Sequence, residues 1–377
     1  MKPAIARHRV LMVGRTRYRL PPGTGQERKF DALGGLFDVR MLARAEPGSA
    51  TEHGPFRLLA PARPPALDGV LFLPRLVLAI RREAHALHAD AIVAQGPYEA
   101  AAALAARTGA KVVVEVHGDW RTATRLYGSR ARRLLAPLAD GLGDWAVRHA
   151  DGVRTLSPFT TDLVRRLGVE PAAAFPAFMD LEPFLERPPA PLPERPRALF
   201  VGVLERYKNV DGLVAAWRRV AVEVPTAELV VVGSGSRRDL VDALVRELPG
   251  RVTAIDRLST PEVAAAMDAA TVLFLPSRSE GLPRIVVESL CRGRAVVGSR
   301  GGGIPDVVVD GENGLLADDV GGLAAQLARV LSDPALAERL AAGARASADR
   351  WIATPEQFAE RLARVVEAVT ADRRLAA

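Results

Sequence analysis

Short runs of Val, Leu and Ile alternate along this chain with Ala-, Leu- and Arg-rich segments whose apolar residues recur at helical spacing. The apolar runs predict strands at "HRVLMVG" (8–14), "LFDVRML" (36–42), "DAIVAQ" (90–95), "KVVVEVH" (111–117) and "VRTL" (153–156). A second series follows at "RALFVGV" (197–203), "ELVVVG" (228–233), "RVTAI" (251–255), "TVLFLP" (271–276) and "AVVGS" (295–299). Continuous rather than alternating apolar runs suit parallel strands buried on both faces. Strands that alternate with helices imply right-handed βαβ units, so two such series predict two doubly wound α/β domains. Between them, "ERPPAPLPERP" (186–196) carries five prolines in eleven residues and reads as a stiff, extended linker. The expected division is an N-terminal domain over 1–188 and a C-terminal domain over 189–355. In the closing segment "EQFAERLARVVEAVTA" (356–371), Phe358, Leu362, Val365, Val366 and Val369 share one helical face, which predicts burial.

Composition narrows the class. The chain has 377 residues, 49% hydrophobic and 25% charged, an ordinary globular balance, but only 5% aromatic, so the core must be built from Ala, Val and Leu. A single cysteine, Cys291, excludes an intrachain disulfide, fits a reducing compartment and reads as a small buried residue. A membrane-spanning helix needs about 20 predominantly apolar residues. The longest apolar stretch outside the first strand, Val70 to Ile80, is cut by Pro74 and Arg75. The opening "MKPAIARHRVLMVG" runs into a strand without the form of a secretion signal, so the expected location is cytoplasmic, free or on a membrane surface. Charge is uneven: residues 1–196 hold 28 Lys and Arg against 20 Asp and Glu, and the remainder 23 against 24. A basic first half suits an anionic partner, whether nucleic acid, lipid headgroup or phosphorylated substrate.

In doubly wound sheets, ligands bind beyond the carboxyl ends of the strands. In the second series those ends are followed by "VGVLERYKN", "VGSGSRRD", "PSRSEGLPR" and "GSRGGGIPD". All are polar and most are glycine-rich, which suits backbone N–H recognition of an anion such as a diphosphate. Within "SEGLPRIVVES" (279–289), seven residues separate Glu280 from Glu288. Gly281 and Pro283 break the helical register between them. One carboxylate therefore belongs to a loop and the other stands two turns into the following helix.

The second half of the chain resembles the retaining, nucleotide-sugar-dependent glycosyltransferases of family 4, which have the GT-B fold. The resemblance is carried by "FVGVLERYKNVDGLVAAW", "ELVVVGSGSRRDLV" and "LFLPSRSEGLPRIVVESLCRGRAVVGSRGGGIPDVVVDGENGLL", and more weakly in the first half by "VEVHGD" (114–119) and "HADGVRTLSPFTTDLVRRLGV" (149–169). It implies two Rossmann-like domains facing a deep interdomain cleft, with the terminal helix packing back on the first. By the same resemblance Glu280 contacts the donor sugar, Glu288 the ribose hydroxyls, and the amides of Gly281 and Leu282 at the helix start face the phosphates. Lys208 matches the phosphate-binding lysine, and Gly202, Gly233 and Gly235 line the donor loops. The family usually has an arginine directly after the strand-end glycine. Here that position is Val203, and Arg206 is the loop residue placed to substitute for it. His117 matches a histidine that approaches the donor sugar, and Gly23 and Gly25 belong to the loop 14–27 that faces acceptor and phosphate.

The implied partners are a nucleoside-diphosphate sugar and a sugar or lipid-linked acceptor, not nucleic acid. No Asp-x-Asp motif is present, and His85 and His88 have no further ligand nearby in sequence, so no metal and no cofactor beyond the sugar nucleotide is expected. The segment 120–142 sets Arg121, Arg125, Arg130, Arg132 and Arg133 among Leu and Trp. A basic amphipathic segment of this kind suits an anionic leaflet, and a solvated, salt-bridged helix face accounts for it equally well. Two other classes fit part of the pattern: a GT-B nucleotide-sugar epimerase, against which the Glu280/Glu288 block argues, and a donor-binding pseudo-transferase in an assembly complex, which Val203 favours.

Overall fold

The computed structural model describes residues 7–62, 68–122 and 136–374. The chain divides into two compact units, one that ends at Phe178 and resumes at Ala353, and one built on Met179–Ile352.

The first unit is an eight-stranded sheet. Its strands are β1 (His8–Tyr18), β2 (Phe37–Ala45), β3 (Glu52–His53), β4 (Phe56–Leu59), β5 (Ala91–Ala94), β6 (Lys111–Val116), β7 (Gly152–Thr155) and β8 (Ala173–Ala174), in the order β3-β4-β2-β1-β5-β6-β7-β8. All pairs are parallel except β3 with β4. Successive residues of β1 feed opposite cores. Leu11 and Val13 pack with Leu76 and Ile80 of the helix Asp68–Leu87. Val10 and Met12 pack with Phe30 and Leu33 of the helix Thr24–Leu36. Burial on both faces is why the strand sequences are continuously apolar. The terminal helix, Pro355–Arg374, belongs to this unit, and Phe358, Leu362, Val365 and Val366 are buried in the second of these cores.

The second unit is a fully parallel six-stranded sheet: β9 (Arg197–Val201), β10 (Glu228–Val232), β11 (Val252–Ile255), β12 (Val272–Leu275), β13 (Ala295–Ser299) and β14 (Gly314–Ala317), in the order β11-β10-β9-β12-β13-β14. Phe200, Val231 and Phe274 face Trp217, Leu213 and Leu327, while Leu199, Leu273 and Leu275 face Met267, Val286 and Leu290.

All ten expected strands are present, and among the described residues four more accompany them. β14 reads "GLLA", without a β-branched residue, so local propensity did not mark it. β3, β4 and β8 are short and lie at or near the edges of their sheet. β1 also runs on to Tyr18, because pairing with β2 resumes at Arg17↔Arg44 and Tyr18↔Ala45 after a register shift. The loop expected over 14–27 is therefore shorter.

The compact units part at Phe178, upstream of the proline-rich segment. Met179, Leu181 and Phe184 are core residues of the second unit. The prolines that follow do not hang between domains. Arg292 donates to the carbonyls of Phe184, Arg187 and Pro188, and Arg294 to those of Ala190 and Pro191. Two buried guanidiniums thus fasten an irregular strand of backbone that has no sheet or helix partner of its own.

Among the described residues no helix is long and apolar enough to cross a membrane. In the basic stretch 120–142, Arg121 pairs with Asp144 at 2.7 Å, while Arg125, Arg130, Arg132 and Arg133 lie outside the described residues.

Truncation after Thr354 tests the terminal helix. Burial of Phe358, Leu362, Val365 and Val366 contributes about 1.5–3 kcal/mol each, comparable in sum to a whole domain's stability of about 5–15 kcal/mol. Calorimetry of the truncated chain should show the first unit's transition lost or lowered by more than about 10 °C, with the second unit's transition kept. An unchanged first transition would show the helix to be dispensable.

Candidate active site

In the second sheet the strand order reverses between β9 and β12: β10 and β11 lie on one side, β13 and β14 on the other. This is the switch point of a doubly wound sheet, where ligands bind beyond the carboxyl ends of the strands. Two of the expected residues meet there. Lys208, in the 3₁₀ turn Arg206–Lys208, donates from Nζ to Oε1 of Glu280 at 2.6 Å, and both side chains are about nine-tenths buried. The lysine stem passes over Gly202, where a Cβ would lie 3.4 Å from Cε. The two loops are also tied by backbone, since Arg278 N donates to Tyr207 O at 2.7 Å. Val203 is 46% exposed and Arg206 is exposed, with no side-chain partner among the described residues. Cys291 is buried, and burial pushes its thiol up to about 11, which keeps it inert at neutral pH.

The glycines of this region are required by close backbone approach. A Cβ on Gly233 would overlap the carbonyl of Gly202, and one on Gly235 the backbone of Leu204, so these glycines let the loop after β10 seat against the loop after β9. The loop Gly301–Gly303 does the same for Glu280. Its three glycines lie against the backbones of Ser277 and Arg278, of Glu280, and of Gly281 respectively, and Gly303 N donates to Glu280 O at 2.8 Å. Sequence reasoning took the glycines after β13 for anion recognition alone. The structure adds that they clamp the acidic loop.

Glu288 lies on the helix Arg284–Cys291, four residues past its start rather than two turns in, because Pro283 keeps an extended conformation (ψ 95°) and delays the helix. Gly281 and Leu282 accordingly lie in the turn before the helix, not at its start. The Glu288 carboxylate is buried, with 7% exposure, and accepts from Arg284 Nε at 2.5 Å. Burial raises its pKa, and the Arg284 charge and hydrogen bond oppose the rise.

In the first unit, His117 follows the carboxyl end of β6, with its side chain 41% exposed. Its Nε2 lies 3.2 Å from Oε2 of Glu115. Glu115 is buried, and its Oε1 accepts from Nη1 of Arg154, which is its register partner on β7 and has no exposed surface. Arg154 also donates to the carbonyls of Phe175 and Pro176 and lies over the rings of Phe175 and Phe358. Burial by itself would raise the pKa of Glu115. The Arg154 charge, the His117 hydrogen bond and Lys29 outweigh it and hold the carboxyl down at about 2. Lys29, over the Phe358 ring at 5.1 Å, is itself pulled below the usual lysine range by burial, against the attraction of Glu115.

Sequence reasoning named His117 and missed Glu115 and Arg154. The available signal was an acid inside an otherwise apolar buried strand, two residues from the histidine and so on the same face. Gly23 and Gly25 are at the entry of the helix Thr24–Leu36. Gly23 is its N-cap in extended conformation, with open space where a Cβ would stand, and Gly25 lies in the first turn.

Comparison with known proteins gives this geometry its context. Residues 184–347 match the family model "Glycosyl transferases group 1", and residues 28–182 match "Glycosyltransferase Family 4". The 2-deoxystreptamine glucosyltransferase of Streptomyces kanamyceticus is 33% identical over 262 residues, which cover 64% of this chain and 67% of that protein. The chain belongs to glycosyltransferase family 4. Glycogen synthase of Mycobacterium tuberculosis is 32% identical over 210 residues, covering 53% of this chain and 50% of the synthase. The alpha-maltose-1-phosphate synthase of the same organism is 37% identical over 162 residues, covering 39% and 41%. The chain thus spans half or less of the length of these two relatives. Among solved structures, sucrose-phosphate synthase from Thermosynechococcus elongatus superposes with a TM-score of 0.80 at 23% identity, over 97% of this chain and 100% of that one. An Anabaena protein solved in complex with UDP-glucose gives 0.69 at 18%, over 96% and 99%. These likenesses show the GT-B fold.

The glycine clamp can be tested by substitution. Gly302 has φ +59° and packs on Glu280, whereas Gly311 has φ +82° and open space around it. Gly311→Ala should cost about 1 kcal/mol from conformation alone. Gly302→Ala should cost the second unit about 2–4 kcal/mol in urea denaturation, because backbone must also move. Equal losses would show that close approach is not what demands glycine.

Proposed function

We propose that this family 4 protein is a retaining hexosyltransferase that moves a sugar from a nucleoside-diphosphate sugar to a glycan, lipid-linked or other small acceptor. The reading places it in the synthesis of a cell-surface polysaccharide or glycolipid, with no metal required. The observation that carries it is the Lys208–Glu280 pair at 2.6 Å, held where the strand order of the second sheet reverses. A cation there meets the negative charge that gathers on the departing diphosphate in the transition state. The adjacent carboxylate meets the sugar hydroxyls and the positive charge that develops at the anomeric carbon. Glu288, buried one helical turn beyond the loop, takes the ribose hydroxyls. In retention without a protein nucleophile, the acceptor hydroxyl attacks from the face that the diphosphate leaves, and a diphosphate oxygen takes its proton. The protein then positions both substrates and neutralises the leaving group. The name of the glucosyltransferase relative and the UDP-glucose bound by the Anabaena structure support a nucleoside-diphosphate hexose as donor.

One observation favours a membrane-associated acceptor. On the helix Ala136–His149, Leu138, Leu142 and Trp145 are exposed at 74%, 38% and 39% and fall on one face, directly after the arginine-rich stretch in sequence. An exposed apolar stripe that follows an arginine-rich stretch in sequence suits an anionic bilayer surface.

Transfer assays with radiolabelled UDP-, GDP- and ADP-hexoses test the reading. Transfer with retained anomeric configuration from one of them is expected, and sugar-nucleotide binding without transfer would support the pseudo-transferase instead. Lys208→Met should lower turnover about a hundredfold or more, since one donor to a developing anion is worth about 3 kcal/mol. Glu288→Ala should weaken nucleotide binding by about 1.5–3 kcal/mol in calorimetry with turnover less affected. An unchanged affinity would remove the ribose assignment. Co-sedimentation with anionic vesicles should fall at least fivefold in Leu138→Glu/Trp145→Glu, and equal sedimentation would exclude this face as the contact.

A further inference from the structure

Glu115 takes no part in the reading above, yet its two oxygens have two different partners: Oε1 accepts from buried Arg154, and Oε2 faces His117 Nε2. A carboxylate bonded to buried Arg154, with the Lys29 charge adding to the attraction, is held ionised, and an ionised carboxylate can only accept a hydrogen bond. The proton between Glu115 and His117 therefore belongs to the imidazole, on Nε2. Nδ1 has no hydrogen-bond partner among the described residues, and the side chain is 41% exposed.

We propose that Glu115 is a positioning residue for His117: it locks the ring in the Nε2–H tautomer, so that neutral His117 presents Nδ1 to substrate as a hydrogen-bond acceptor for a sugar hydroxyl. The proposal rests on the sugar-facing role given to His117 by the family resemblance. The other tautomer would set an Nε2 lone pair against the carboxylate and turn an N–H outward, replacing an acceptor with a donor. A second hydrogen bond that fixes ring and tautomer is the general means by which a protein aims an imidazole. Here the fixing group is prepared by the sheet: β6 sets Glu115 and His117 on one face two residues apart, and parallel register with β7 brings Arg154 beside the carboxylate. The Phe175 and Phe358 rings pack on the Arg154 guanidinium, and Lys29 lies over Phe358. The arrangement costs the burial of an ion pair, a cost that apolar residues at both 115 and 154 would spare the sheet.

The test uses the full chain labelled with ¹⁵N-histidine. Long-range ¹H–¹⁵N spectra distinguish the tautomers, and His117→Gln assigns the signal among six histidines. In the wild type, at the alkaline end of a titration, His117 should show a protonated Nε2 and an unprotonated Nδ1. A protonated Nδ1, or an averaged pattern, overturns the proposal without use of any variant. In Glu115→Gln, the carboxamide can accept or donate, so the pattern should become averaged, and kcat should fall tenfold to hundredfold with KM for the sugar nucleotide within about twofold. Glu115→Asp, which keeps the charge, should recover part of the rate if the ring signal returns to the locked form. A variant whose His117 signal averages while kcat stays at the wild-type value overturns the positioning role. If the wild-type ring is locked but His117→Gln transfers sugar at full rate, the tautomer assignment stands and the sugar-facing role of His117 fails.

Discussion

Parallel sheets covered on both faces leave a protein few places to do polar chemistry, and this constraint organises both units. Residues 10 to 13 of β1 alternate between two apolar cores, as do residues 198 to 200 of β9. Nothing along the body of such a strand can meet a sugar or a phosphate. The chain has to turn polar where a strand ends, and the residues assigned to chemistry, Lys208, Glu280 and His117, follow β9, β12 and β6. Where strand order reverses, the polar loops after β9 and β12 meet, tied by Lys208–Glu280 and by Arg278 N to Tyr207 O, at the place where doubly wound sheets bind ligands.

Loops alone would be a poor mount for two charges of opposite sign. The structure stiffens them by bringing backbone against backbone without side chains between. Gly233 and Gly235 seat one loop on the other, and Gly301 to Gly303 hold the Glu280 turn from the far side. This trades residues with side chains for positional accuracy, which keeps Lys208 and Glu280 within hydrogen-bond reach of each other. Removal of one partner from a buried pair costs about 3–5 kcal/mol, so Lys208 and Glu280 also hold each other in place. The same logic recurs in the first unit, where buried Glu115 is answered by Arg154 across the sheet and by His117 along it, and in the second, where Arg292 and Arg294 satisfy the carbonyls of a proline-rich strand. In each case an arginine fork meets acceptors that no regular secondary structure would reach.

The sequence by itself determined the ten apolar strands, their parallel arrangement in two doubly wound units and the polar turns at their ends, because apolar runs and glycine placement are local properties; the short strands β3, β4 and β8 and the unbranched β14 were not legible. Glu280 and Glu288 were legible from their spacing across a broken helical register, while Lys208 and His117 were marked by the family resemblance. Tertiary structure alone decided their partners. Glu115 and Arg154 are 39 residues apart and meet only because parallel β6 and β7 align in one register, while Lys208 and Glu280 are 72 apart and meet only because β9 neighbours β12 rather than its sequence neighbour β8. The proline-rich segment looked like a free linker because its composition forbids a regular element; its place on the second unit depends on two arginines roughly a hundred residues later. Local physics sets which residues are extended, buried or turned. Which charge faces which is set by strand order and register, and these are fixed by the burial of the whole sheet.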